Sequence, residues 1–63
     1  MKIKVNGQNK EIKDNISINQ LILDLHLVKK KVAVELNGEV ETDFSKILNE
    51  GDEVEIVYFV GGG

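Results

Sequence analysis

The 63-residue chain contains no cysteine and no proline. Without thiols there is neither a disulfide to staple a small domain nor a thiolate ligand for a metal. No apolar run approaches the roughly 20 residues that a membrane-spanning helix requires, and the first residues lack the apolar segment of a signal peptide. These absences lead to the expectation of a soluble, cytoplasmic protein with no membrane partner. Positive charge is also scarce, with 8 Lys and Arg against 11 Asp and Glu and a net charge of −3. A nucleic-acid binder would carry a basic patch, so none is expected as a partner. The one basic run, Lys29-Lys30-Lys31, reads as a solvated loop. There is a single histidine, His26, and no serine in a nucleophile-elbow setting, which removes most ways for the chain to do chemistry with its own side chains.

What is present is enough apolar character, 41% of residues, for one compact core. At this length a chain is near the lower limit for folding unaided. Met1, Ile3 and Val5 alternate with Lys2 and Lys4, which predicts a strand over 1–5 with its apolar face inward. Asn6-Gly7 suits a tight turn with positive φ. A loop of about four residues then leads to a returning strand over 10–13, with Ile12 inward. Ser17 is a good helix N-cap, and Gln20 sits where it would complete a capping box. Ile18, Leu21, Ile22 and Leu25 follow one face of a helix of about three turns, with Leu23 off that stripe and His26 near its end. Val32, Val34 and Leu36 mark a third strand, and Asn37-Gly38 a second tight turn. Glu39–Glu41 is a brief fourth strand with Val40 inward. Phe44, Ile47 and Leu48 have the spacing of a single helical turn, which would tuck Phe44 and Leu48 under the core. Asn49–Asp52 turns the chain into a last strand, in which Val54, Ile56 and Tyr58 face inward. The pattern predicts an α+β domain with one helix packed across one face of a small mixed sheet.

The chemistry-bearing side chains have bland readings. Ser17 serves as a cap, Ser45 as a turn residue and His26 as a helix-end residue. Glu50, Asp52, Glu53 and Glu55 cluster around the last strand, but alternation spreads Glu53 and Glu55 along a solvated edge. No metal site and no catalytic residue is expected. The remaining feature is the end of the chain. Strong β-formers continue to Val60 and give way abruptly to Gly61-Gly62-Gly63. A glycine run forms neither a stable strand nor a helix, so 1–60 is expected to be the folded domain and 61–63 a mobile tail. Extended, three residues reach roughly 10 Å, and without Cβ atoms they can enter a narrow channel. The α-carboxylate of Gly63 is ionised at neutral pH and becomes reactive only if another enzyme converts it to an acyl adenylate with ATP. Strict alternation places Val57 and Phe59 on the solvent face beside the tail. With Val60 they form a small apolar surface suited to a partner.

The β-β-α-β-β order ending in an apolar strand and Gly-Gly resembles the ubiquitin-like β-grasp family. The short chain, the Gly51-Asp52 turn and Phe59-Val60-Gly61-Gly62-Gly63 resemble most closely the ThiS-type sulfur carriers of thiamin thiazole synthesis. The resemblance covers the whole chain, and the terminal motif is its strongest part. It implies that Gly63, preceded by Gly62, is adenylated by an E1-like adenylyltransferase of ThiF type. It further implies that a sulfur donor protein supplies the sulfur for a thiocarboxylate, which a thiazole synthase of ThiG type consumes. The chain would then be a protein substrate and carrier rather than an enzyme. It would bind no cofactor itself, and ATP and the sulfur donor would be used by its partners. The small subunit of molybdopterin synthase also ends in Gly-Gly but is usually longer. A ubiquitin-like modifier joined to amines, or an interaction domain whose glycine tail is incidental, remains a further reading. In the β-grasp arrangement the first and last strands lie side by side and parallel.

Overall fold

A computed structural model of the chain describes residues 1–28 and 30–59. Five strands and one helix follow the order β1 (Lys2–Val5), β2 (Gln8–Glu11), α1 (Ile18–Asp24), β3 (Lys31–Leu36), β4 (Glu39–Glu41) and β5 (Glu53–Phe59). They form one sheet in the order β2-β1-β5-β3-β4. The first and last strands are parallel neighbours, paired Lys4 with Glu53 and Val5 with Val54, as the β-grasp resemblance implied. The other pairings are antiparallel.

The core is a single layer between sheet and helix. Ile3, Val34, Leu36, Val54 and Ile56 from the sheet meet Ile18, Leu21 and Ile22 from α1, and Leu48 closes one end. Burying side chains of this kind contributes about 1.5–3 kcal/mol each. Ile18, Leu21 and Ile22 of the stripe expected from the helical spacing are buried, Leu25 is half-buried against the core, and Leu23 points away with half its surface exposed.

Both Asn-Gly pairs form two-residue turns. Asn6 (φ 50°) and Gly7 (φ 80°) join β1 to β2, and Asn37 (φ 53°) and Gly38 (φ 86°) join β3 to β4. Positive φ at both central positions matches the twist of the flanking strands, and asparagine tolerates it better than other non-glycine residues. The first turn is shorter than the four residues expected. The returning strand therefore begins at Gln8 rather than Lys10 and ends at Glu11. Ile12 follows it, its N–H donating to the Met1 carbonyl at 2.8 Å, and packs half-buried against the core.

The helix is shorter than the three turns expected, at seven residues. His26 stops it. Its φ of 62° turns the chain left-handed, the His26 N–H donates to the Leu23 carbonyl, and the Leu27 N–H donates to that of Ile22, both at 3.0 Å. This is the Schellman arrangement, in which glycine is the usual left-handed residue. At the other end the Ser17 hydroxyl accepts from the Gln20 N–H at 3.1 Å. The Gln20 side chain does not return to Ser17. It donates to Asp24 at 3.0 Å, so half of the capping box is made.

Residues 43–48 do not form the expected helical turn. Their carbonyls are engaged in capping α1: the Ile18 N–H donates to Lys46 at 3.0 Å and the Asn19 N–H to Phe44 at 2.9 Å. Free N–H groups at a helix start need such partners. A segment that makes only one turn of its own, the Lys46 N–H donating to the Asp43 carbonyl at 3.2 Å, leaves carbonyls for them where a helix would consume its own. Ser17 and Ile47 form an isolated antiparallel bridge. Phe44 packs on the core and Leu48 is buried within it, as expected, and Ile47 is exposed. Val40 also departs from expectation, with 74% of its surface exposed. The tight turn sets Val40 opposite Glu35, and Glu35 lies on the face turned away from the helix.

Candidate functional site

The candidate site is built on β5, the middle strand of the sheet, which leads toward the glycine residues. Neighbouring strands hold it from both sides, but the β1–β5 ladder covers only two residue pairs before β1 turns away at Asn6. The Asn6 side chain extends that ladder. Its Nδ2 donates to the Ile56 carbonyl at 3.2 Å, and the Ile56 N–H donates to its Oδ1 at 2.7 Å. A carboxamide presents one donor and one acceptor in a plane, as a peptide group does, so the side chain stands in for the missing strand residue. The Asn6 backbone N–H also donates to Val54 at 2.8 Å.

Asn37 does a similar thing on the other flank. Its Oδ1 accepts from the Glu53 N–H at 2.9 Å, and its Nδ2 donates to Asp52 Oδ1 at 3.0 Å. The other Asp52 oxygen accepts from the Asn49 N–H at 2.8 Å. Asp52 is thus a buried carboxylate consumed by the turn into β5. Glu50 accepts from the Lys2 N–H through both oxygens at 3.2 Å. The two remaining members of the carboxylate cluster, Glu53 and Glu55, are exposed along β5. Among the described residues no group of three or more His, Cys, Asp or Glu side chains is placed to hold a metal, and none of their helices is long and apolar enough to cross a membrane.

Beyond Ile56 the strand emerges from the core. Val57 and Phe59 lie on the open face with 55% and 64% of their surface exposed, as the alternation requires. Tyr58 lies on the helix side, opposite Val32, yet 44% of it is exposed where burial was expected. The helix stops too early to cover it. A groove of about 320 Å³ opens there between Tyr58, Val5, Leu25 and Leu27. Lys30 reaches over the Tyr58 ring, its Nζ 5.8 Å from the centroid, within the range of a cation–π contact. Val60, Gly61, Gly62 and Gly63, which carry the expected modification and part of the partner surface, lie outside the described residues, as does Lys29.

The fold strengthens the acidity of Glu41 and Asp43. The Asp43 backbone N–H, and then Lys46, hold Glu41 below the usual carboxylate range. The Ser45 hydroxyl and backbone N–H do the same for Asp43. These contacts order the segment that caps α1. His26, solvent-exposed at the helix end, acts through its backbone.

A small mixed sheet with parallel first and last strands and one helix across a single face defines the ubiquitin-like β-grasp class. Within that class the chain belongs to the ThiS family, whose model matches residues 3–63. It is also similar to a solved structure, the thiamine biosynthesis protein ThiS from Geobacter metallireducens, with a TM-score of 0.80 and 35% identity over 100% of both chains. Two curated relatives are named thiazole synthase. The one from Paramagnetospirillum magneticum is 35% identical over 66 aligned residues, and the one from Magnetococcus marinus 36%. Each alignment takes in 100% of this chain but only 20% of the relative, so the chain spans a fifth of their length.

Proposed function

We propose that the chain is a sulfur carrier for thiamin thiazole synthesis and that the α-carboxylate of Gly63 is its working group. The observation that carries this reading is the family match, which runs to residue 63 and so takes in the glycine triplet. A carboxylate is a poor electrophile. Its oxygen attacks the α-phosphate of ATP inside an E1-like adenylating enzyme, a P–O bond forms and pyrophosphate leaves. A persulfide on a donor protein then attacks the acyl carbon, and the C–S bond forms as AMP departs. A thiol reductant attacks the donor's sulfur in the acyl disulfide so formed, the S–S bond breaks, and the donor leaves in a disulfide with that thiol. The resulting thiocarboxylate gives its sulfur to a thiazole synthase. The chain performs no step itself, so it is a substrate and carrier rather than an enzyme.

Two further observations support the reading. The relatives named thiazole synthase contain, within their own length, a segment similar to this whole chain. That is the arrangement expected if such a synthase and such a carrier act together. Val57 and Phe59 are solvent-exposed large apolar residues on the strand that leads to the tail, which suits them, with Val60, to meet the adenylating enzyme.

The test is ATP–pyrophosphate exchange with the cognate adenylating enzyme, followed by intact mass after a sulfur donor is added. The carrier should gain the mass of one oxygen replaced by sulfur. Deleting Gly63 shortens the arm by about 3.5 Å, and a misplacement of 1 Å can lower a rate about a hundredfold. Deletion or a C-terminal tag should therefore abolish exchange. Phe59→Glu should weaken binding to the enzyme and leave the melting temperature unchanged. Full exchange by the tagged protein would show that the carboxylate of Gly63 is not the working group. Attachment to lysines of other proteins would identify a modifier instead.

A further inference from the structure

We propose that the open face of the sheet receives an arginine side chain from the protein that activates the tail, seated between Glu35 and Glu55. The identity of that protein rests on the carrier reading above; the fit of the side chain does not. Glu35 and Glu55 are directly opposed across β3 and β5, both on the exposed face. Directly opposed like charges destabilise a sheet, since their Cβ atoms stand only about 4.5–5.5 Å apart. Among the described residues neither carboxylate takes part in an ion pair, the pairs present being those of Met1 with Glu11 and Asp14 and of Lys46 with Glu41. Lys31, the cation on the same face of β3, sits opposite Phe59 at the far end of the ladder.

Glu35 and Glu55 line a hollow whose other lining residues are apolar. Ala33 is paired with Val57, Val40 is paired with Glu35, and all five side chains line a space of about 150 Å³. Pockets for small-molecule ligands run from about 300 to 1,000 Å³, so this one suits a single side chain. A hollow lined by apolar side chains and two carboxylates calls for an aliphatic stem with a cationic head. Arginine fits better than lysine, because its planar guanidinium carries five donors in a fork that can serve two carboxylates at once. A calcium ion would need 6–8 oxygen ligands, and two carboxylates over valines do not supply them. A second copy of this chain cannot be the occupant, since the sequence contains no arginine. The hollow adjoins Val57 and lies on the same face as Phe59, so one protein surface can cover the apolar pair and place the arginine together.

The test has two arms. Isotope-labelled protein is titrated with L-arginine amide, L-lysine amide and norleucine amide and followed by NMR. Arginine amide should move the resonances of Ala33, Val40 and Val57 saturably, norleucine amide should not, and the response should vanish in E35Q/E55Q. Shifts spread over the whole acidic surface, shifts equal for lysine amide, or shifts that survive E35Q/E55Q would overturn the proposal. In the second arm the adenylating enzyme is assayed with each carrier. E35Q/E55Q should raise KM for the carrier by about tenfold or more, the scale of a lost charge-assisted hydrogen-bond pair, and should flatten its salt dependence. Its melting temperature should equal or exceed the parent's, because a repulsion has been removed. If the parent carrier turns over and KM is unchanged in the variant, the arginine seat is wrong and the carrier reading stands. If the parent is not adenylated at all, the carrier reading fails, and the amide titration alone decides the hollow.

Discussion

Asn6→Ala is the perturbation that most directly tests how β5 is held. It removes the acceptor of the Ile56 N–H and the donor to the Ile56 carbonyl, bonds of 2.7 and 3.2 Å. Each such bond contributes about 0.5–1.5 kcal/mol net. It also places alanine at φ 50°, a left-handed conformation that costs an ordinary L-residue about 1–2 kcal/mol and asparagine less. Two bonds plus part of that strain give a loss of about 3 kcal/mol. For a domain of this size each kcal/mol moves the melting temperature by about 4–8 °C, so the midpoint should fall by about 12–24 °C. Urea and thermal unfolding followed by circular dichroism measure it. Asn6→Gly separates the causes, because glycine accepts positive φ freely but lacks the carboxamide. It should lose about 1–3 kcal/mol through the hydrogen bonds and be more stable than the alanine variant. Hydrogen exchange at the Ile56 amide should accelerate in both. If Asn6→Ala and Asn6→Gly unfolded at the parent midpoint with Ile56 still protected, the carboxamide would not be part of the ladder, and the account of how β5 is braced would be wrong.

Three other outcomes are expected. Leu21→Ala removes a fully buried side chain and should destabilise by about 2–5 kcal/mol, enough in so small a domain to leave a large unfolded fraction in urea titrations. His26→Gly should raise stability by about 0.5–1 kcal/mol, the relief of left-handed strain less the added freedom of the unfolded chain. His26→Val, β-branched at the same φ of 62°, should instead lower stability in the same melts. Glu41 and Asp43 have their acidities strengthened by the fold. Their contribution is therefore complete above the unfolded values near about 4 and is lost as pH falls below them. The parent should lose stability on acidification through that window, and Asp43→Asn with Glu41→Gln should flatten the loss in pH-dependent unfolding curves.

Much of the fold was legible from local chemistry. Alternation marks a strand by itself, so Ile3, Val34, Leu36, Val54 and Ile56 were identifiable as core residues and Val57 and Phe59 as outward-facing. The helical spacing of Ile18, Leu21 and Ile22 announced the buried face of α1, and Asn-Gly announced both turns. Each of these signals depends on backbone periodicity or on the φ preference of one or two residues, which the sequence carries without reference to the rest of the chain. The ThiS resemblance of the Gly-Gly terminus belongs to the same kind of information.

What the sequence left open depended on distant neighbours. Val40 is exposed because a two-residue turn sets it opposite Glu35, a matter of register. Tyr58 is half-exposed because α1 stops at a left-handed His26, a conformation usually left to glycine. Residues 43–48 form a turn at Phe44 and Ser45 and no helix, and the carbonyls of Phe44 and Lys46 cap a helix about 25 positions earlier in the chain. The apposition of Glu35 with Glu55, and the carboxamides of Asn6 and Asn37 beside β5, join residues that are 20, 50 and 16 positions apart. Local patterning determined which side chains face inward. Which of them found a partner there was decided by strand register and helix length, because a shift of one residue in a sheet moves a side chain to the opposite face.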